Sequence, residues 1–279
     1  MKFTKMHGAG NDFVVIDARG QQCDWAGLAK AMCHRNFGIG ADGLILVSPA
    51  ARAEVSMRMF NPDGSEAEAC GNGLRCVVKY AIEHGLARGP RLAISTQAGL
   101  LEVEATVKDD RVVRSRVSLG TPRLAPKDIP VGLAGDGPII DHTLVVEKTT
   151  LKLTCVSMGN PHAVHFLDSP VADFPLGIIG PKVEHHPLFP QRVNFEIARV
   201  LAPGKLEART WERGAGETLA CGSGACAIAV AARLKGLATG SVEIAEPGGV
   251  LTVDWDGKGE AYLSGPAEAV FEGEWAELA

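Results

Sequence analysis

The sequence predicts an α+β fold built as two similar halves, and three observations carry that expectation. First, Ala69-Cys70-Gly71-Asn72-Gly73 recurs as Ala220-Cys221-Gly222-Ser223-Gly224, with 221 − 70 = 151. The same offset pairs Arg58 with Arg209, Phe60 with Trp211, Asn61 with Glu212, Glu66 with Glu217 and Gly85-Leu86-Ala87 with Gly236-Leu237-Ala238; with a two-residue slip, Gly10-Asn11 matches Gly159-Asn160. Second, each half reads as many short strands and one principal helix that follows the cysteine. Third, 279 residues exceed a typical single core and suit two domains of similar size.

The elements follow in order. Phe13–Ile16 reads as a buried strand after the Gly-Asn turn, and 43–47 and Val55–Phe60 as further strands, the last alternating with period two. Asn61-Pro62-Asp63-Gly64 is a strong turn signal. A helix runs from Gly73 to a cap at Gly85, and strands at 92–95, 100–107 and 112–117 complete a mainly β half. The alternation of Arg111, Arg114 and Arg116 with Val and Ser reads as the solvent face of a strand. The stretch 121–138, with Pro122, Pro126, Pro130 and Pro138, is the crossing into the second half. There the series repeats: strands at 151–156, 163–166, 194–200 and 206–211, a turn, Cys221, a helix at 225–235 ending at Gly236, and strands at 241–245, 249–255 and 260–263.

Composition narrows the function class. A net charge of −5 argues against a nucleic-acid or anionic-membrane surface. The start of the chain lacks the apolar core of a secretory signal, and no apolar run approaches the ~20 residues that span a bilayer. Seven cysteines, an odd number, point to reduced thiols, so a cytoplasmic protein is expected.

The chemistry is read from the repeated cysteines. Each precedes a helix start, where unpaired N–H groups attract anions and can lower a thiol pKa. Gly71, Asn72, Gly222 and Ser223 are small enough to let a substrate carboxylate reach those N–H groups. Two similar halves facing each other would place Cys70 and Cys221 on opposite sides of one carbon. That suits removal of an amino-acid α-proton from one face and delivery to the other, with the N–H groups stabilising the dianionic intermediate. One buried inert cysteine would be the ordinary reading of a single Cys-Gly-x-Gly; two copies in register reverse it. A Cys70–Cys221 disulfide does not fit a reducing compartment. Zinc does not fit either, since no Cys-x-x-Cys exists. No metal or pyridoxal phosphate is expected. Cys23, Cys33, Cys76, Cys155 and Cys226 read as packing residues.

Further motifs give a resemblance. Met6-His7-Gly8-Ala9-Gly10-Asn11-Asp12-Phe13, Phe60-Asn61-Pro62-Asp63-Gly64-Ser65-Glu66, Cys70 through Cys76, Met158-Gly159-Asn160-Pro161-His162, Val193-Asn194-Phe195, Trp211 through Thr218 and Cys221-Gly222-Ser223-Gly224 together resemble the diaminopimelate epimerases over essentially the whole chain. The resemblance implies two pseudo-symmetric domains, 1–118 plus 264–279 and 119–263, each a mainly antiparallel sheet or barrel around a central helix. It implies cofactor-independent conversion of LL-2,6-diaminopimelate to the meso isomer in lysine and peptidoglycan precursor synthesis. Cys70 and Cys221 are then the acid/base pair, with Cys221 the acceptor toward the meso product. His162 and Glu212 tune the thiols. Substrate binding falls to Asn11, Asn61, Asn160, Asn194, Glu212 and Arg213 and to the N–H groups at Gly71, Asn72, Gly222 and Ser223. Arg213 suits the distal carboxylate and Glu212 the distal ammonium.

Two positions depart from the pattern. Gly43 stands where many relatives have glutamine, and Phe271 where they often have a dimer-interface tyrosine; a homodimer is still expected. The competing readings are another two-cysteine racemase of the same fold, such as a proline-racemase-like enzyme, a non-catalytic amino-acid-binding protein, and a redox switch. Arg213 and the several asparagines oppose the first, because proline has no distal zwitterion.

Overall fold

The computed structural model describes residues 1–67 and 71–276. The chain forms two compact units, Met1–Ser118 with Ser264–Ala279 and Leu119–Leu263. Each is α+β, with one long helix among mostly antiparallel strands.

The first unit opens with β1 (Lys2–Gly8) and β2 (Asn11–Asp17), paired antiparallel through the tight turn at Gly10. Gly10 has φ +85° and its counterpart Gly159 φ +95°, so both Gly-Asn turns use the left-handed backbone that favours glycine. After α1 (Trp25–Cys33) comes β3 (Gly43–Ser48), parallel to β2, then β4 (Val55–Phe60), antiparallel to β3. The expected turn closes with Gly64 N–H donating to the Asn61 carbonyl at 2.9 Å and leads into β5 (Glu66–Ala67). Helix α2 (Gly71–Glu83) is followed by β6 (Arg91–Thr96), β7 (Gly99–Lys108) and β8 (Arg111–Ser118). In β8, Arg111 and Arg114 are exposed while Val112, Ser115 and Val117 are buried, the alternation read from the sequence. Helix α2 packs against β1, β2, β3, β4, β7 and β8, and ten of its thirteen residues are buried, so it lies within its strands rather than on them.

The second unit repeats this plan. β9 (His142–Val146), β10 (Thr149–Ser157) and β11 (Pro161–Phe166) form an antiparallel series. Helix α3 (Leu176–Glu184) precedes β12 (Asn194–Ala202), which is parallel to β11 as β3 is to β2. β13 (Lys205–Glu212) and β14 (Gly216–Thr218) lead to α4 (Gly222–Leu234), then β15 (Val242–Glu246) and β16 (Gly249–Asp254). Helix α4 is a nearly unbroken run of small and β-branched residues, buried from Gly224 to Ala232 among β10, β11, β12, β15 and β16. Alanines let the strands approach closely without leaving voids. The core of this unit gathers Ile129, Leu151, Leu153, Leu176, Val183, Phe195 and Ile197.

β17 (Tyr262–Gly265) returns the chain to the first unit, where β18 (Glu268–Glu274) pairs with β1 on the side away from β2. Phe271 lies on β18, half exposed, with its ring edge-on to Phe3 at 5.9 Å between centroids.

The duplication extends to ion pairs. Arg58 grips Glu66 with Nε–Oε1 at 2.7 Å and Nη2–Oε2 at 2.9 Å, and Arg209 grips Glu217 with Nε and Nη2 both at 2.7 Å. Each clamp ties the strand before the turn to the segment that delivers the cysteine. Both helices begin earlier than the sequence suggested, at Gly71 and Gly222 instead of Gly73 and Ala225.

Candidate active site

Cys221 is the N-cap of α4, in extended backbone with φ −124°. Its Sγ accepts the Gly224 N–H at 3.4 Å and lies 3.5 Å from the Ser223 hydroxyl. A sulfur thus takes the capping role that a serine or aspartate oxygen usually fills. The backbone at Gly224 passes close to its neighbours: a Cβ there would lie 3.2 Å from Cys221 Cβ and 3.2 Å from Glu196 Oε1, so both would have to give way. The Cys221 N–H donates to Glu246 Oε1 at 3.3 Å.

The electrostatics differ from the sequence expectation. Burial pushes the Cys221 thiol well above its ordinary value, and the charge of Glu212 pushes the same way, while the Ser223 hydroxyl opposes both. Desolvation of the thiolate therefore outweighs the helix start. Glu212 Oε1 in turn accepts the Thr218 hydroxyl at 2.6 Å.

A chain of hydrogen bonds runs from a buried acid to the thiol. His162 is fully buried, with Nδ1 2.6 Å from Glu196 Oε1 and Nε2 2.9 Å from Asn160 Oδ1. Asn160 Nδ2 donates to Ser223 Oγ at 3.3 Å, and Ser223 meets Cys221 Sγ. His162 thus connects to Cys221 through Asn160 and Ser223. Burial raises the Glu196 pKa although His162 opposes it.

Asn194 stands opposite His162 in the parallel ladder, buried, with its amide donating to Pro161 O at 2.9 Å and accepting Arg213 N–H at 2.8 Å. Its side chain ties β11 to the loop after β13. Arg213 is exposed, and its guanidinium donates to Gln191 O at 3.1 Å.

In the first unit Cys70 lies outside the described residues. Gly71 and Asn72 open α2. The Asn72 amide donates to Asn11 Oδ1 at 3.2 Å, and Asn11 donates to Asp42 Oδ2 at 2.8 Å. Asp42 also accepts the Asp12 N–H and, with Asp12, the Arg35 guanidinium. Although burial opposes it, these hydrogen bonds from Arg35 and from Lys5 hold Asp12 down at about 2. Asn61 is engaged by its own turn, donating to Ser65 Oγ at 2.9 Å. Gly43 offers no side chain, and an added Cβ would lie 3.0 Å from the Phe60 carbonyl.

Sequence reasoning missed Glu196, Glu246 and Thr210 behind Cys221. A signal existed for Glu196: it shares strand parity with Asn194 inside the apolar run Val193–Ala198, where a carboxylate has no reason to be buried without a partner. No group of three or more His, Cys, Asp or Glu that could hold a metal occurs among the described residues. No helix among them is long and apolar enough to cross a membrane.

A family model described as diaminopimelate epimerase matches residues 3–125 and 154–270. The diaminopimelate epimerase of Moorella thermoacetica is 48% identical over 279 residues, covering 99% of each chain. Among solved structures, a Bacillus anthracis phenazine biosynthesis protein of the PhzF family superposes with TM-score 0.71 at 18% identity, covering 99% of each chain. A hydroxyproline epimerase from Agrobacterium vitis gives TM-score 0.69 at 16% identity, covering 98% of this chain and 91% of that one. These structural likenesses share the fold.

Proposed function

The chain belongs to the diaminopimelate epimerase family, and from that premise we infer that it interconverts LL- and meso-2,6-diaminopimelate, with Cys70 and Cys221 as the proton-transfer pair. The observation that carries the reading is Cys221 as the N-cap of α4, its sulfur at the helix start, in a motif whose copy holds Cys70 just before α2. In the direction of the meso product the Cys221 thiolate takes the α-proton from one face, and the Cys70 thiol delivers its own to the other. The roles exchange in reverse.

An amino-acid α-proton is weakly acidic because the adjacent carboxylate already carries charge. The N–H groups of Gly222 and Ser223, and of Gly71 and Asn72, hold that carboxylate and stabilise the dianion as it forms. A thiol held above its ordinary pKa by burial becomes an effective base once the substrate's own α-ammonium enters beside it, since that cation offsets the cost of the thiolate. Asn11, Asn61, Asn160 and Asn194 orient the substrate, His162 and Glu212 bias the thiols, and Glu212 with Arg213 reads the distal ammonium and carboxylate. No step draws on pyridoxal phosphate or a metal. A cytoplasmic homodimer with Phe271 near its contact, and with neither nucleic acid nor membrane as partner, completes the reading.

The test is turnover of LL-diaminopimelate in deuterium oxide, followed by chiral analysis and mass spectrometry. The earliest product should carry deuterium at the inverted carbon while unreacted substrate keeps protium. Cys70→Ala and Cys221→Ala should each lower the rate by at least ~10²–10⁴. Protium carried into product, or near-normal turnover by either variant, overturns the two-thiol mechanism.

A further inference from the structure

Equivalent ladder positions hold opposite chemistry in the two units. His162 opposite Asn194 corresponds to Phe13 opposite Gly43, and Glu196 opposite Thr210 corresponds to Ile45 opposite Met59. Ile244 beside Leu206 corresponds to Ile94 beside Val55, which sets Glu246 against Thr96. Phe13, Ile45 and Met59 are buried, so the first unit fills three of these places with hydrocarbon where the second buries His162, Glu196 and Thr210, and at the fourth the second unit buries Glu246 where the first has the half-buried Thr96.

Glu246 is the least expected of the four. It sits at the end of β15, 7% exposed, where a leucine would bury without penalty. Its Oε1 accepts the Cys221 N–H and the Thr210 hydroxyl, both at 3.3 Å. Its Oε2 is buried with no hydrogen-bond partner among the described residues. A carboxyl kept at this cost is aimed at the backbone of the cysteine.

We propose that Glu246 is a positioning residue for Cys221, holding the cysteine's N–H and, through its charge, setting how readily the thiol gives up its proton. The proposal rests on Cys221 being a catalytic thiol. The titratable groups facing Glu246 are Cys221 at the cap of α4, Glu212 on β13 and Glu196 on β12, with His162 behind Glu196. Burial carries the Glu246 pKa to about 8 and pushes the Cys221 thiol up as well, so as pH rises past neutral this acid and the thiol compete to hold one negative charge. A neutral Glu246 permits the Cys221 thiolate, and an ionised one opposes it.

The test is alkylation of the intact chain with iodoacetamide as pH is raised from 7 until the Cys221 rate levels off, with Cys221 followed by peptide mass mapping. Glu246→Gln keeps an oxygen acceptor for the Cys221 N–H and removes the charge. The Cys221 midpoint should move to lower pH by about half a unit or more. Thr210→Val removes the other hydrogen bond to Oε1 and should shift the midpoint in the same direction. Glu246→Leu leaves the Cys221 N–H without an acceptor, and kcat should fall at least about five-fold with KM little changed. An unmoved or raised midpoint in both Glu246→Gln and Thr210→Val overturns the proposal, as does full kcat in Glu246→Leu. The alkylation readout needs no substrate, so it stands apart from whether diaminopimelate is turned over.

Discussion

Replacing Arg58 and Arg209 by alanine, one at a time, weighs the two copies of the same clamp against each other. Arg58 is half exposed, holds Glu66 bidentately and lies 5.0 Å from the Phe60 ring centroid. An exposed pair of this kind contributes about 0.5–1 kcal/mol, and the ring contact about as much again. Arg209 is 19% exposed and does more: besides Glu217, its Nη1 donates to Val171 O at 2.8 Å and to Phe174 O at 3.1 Å. Its loss strips two backbone carbonyls in the 3₁₀ turn at Val171–Asp173 and its cap of their charged donor. Charged hydrogen bonds each contribute about 1.5–3 kcal/mol, and those to neutral carbonyls lie at the low end, so Arg209→Ala should cost about 3–4 kcal/mol against about 1–2 for Arg58→Ala. Thermal denaturation should read this as a Tm difference of roughly 4–8 °C between the variants, at about 2–4 °C per kcal/mol for a protein of this size. Equal losses, or a larger loss at Arg58, would refute the claim that the backbone carbonyls make the difference.

Two further outcomes follow from groups already described. Because burial raises the folded pKa of Glu246 from 4.5 to about 8, the native state binds the extra proton across that window. This contribution to stability is complete below about 4.5 and lost as pH rises through 8, with an upper bound of about 5 kcal/mol at 1.36 kcal/mol per unit. Urea denaturation should find the native chain losing more stability than Glu246→Gln between pH 5.5 and 8.5; parallel profiles would count against a protonated Glu246. Arg213→Ala should fold normally, since its side chain is exposed, yet lose one to two decades of kcat/KM for diaminopimelate. Unchanged kinetics would remove Arg213 from substrate recognition.

What the sequence disclosed was whatever the duplication repeats. Strand order, both long helices, the Asn61–Gly64 turn and the cysteine at the cap of α4 appear twice in the register or carry strong turn chemistry. Elements without a copy were harder to read. Helix α1 is announced by Asp24, whose carboxylate caps Gly27 N–H at 3.0 Å, but the glycine inside its first turn disguises it. Helix α3 contains Gly177, Gly180 and Pro181, a loop-like composition; Gly180 is there because a Cβ would collide with the Trp211 ring at 2.7 Å. β1 breaks the alternation because buried Lys5 is neutralised by Asp12 and donates a further hydrogen bond to Gly40 O. The acids behind Cys221 escaped notice for a related reason: residue type alone cannot separate a carboxylate on a sheet surface from one enclosed by it.

The pairing of β1 with β18 imposes an order of events on the ribosome. β1 is flanked by β2, its neighbour in sequence, and by a strand more than 250 residues downstream. The second unit is contiguous, and all of its residues emerge before β18 does. During synthesis the unit begun first is therefore the one finished last, and one side of β1 remains an open edge while its sibling completes its sheet. Nascent chains arrested before Glu268 should expose that edge to chaperones, which makes β18 the strand whose arrival seals the first unit.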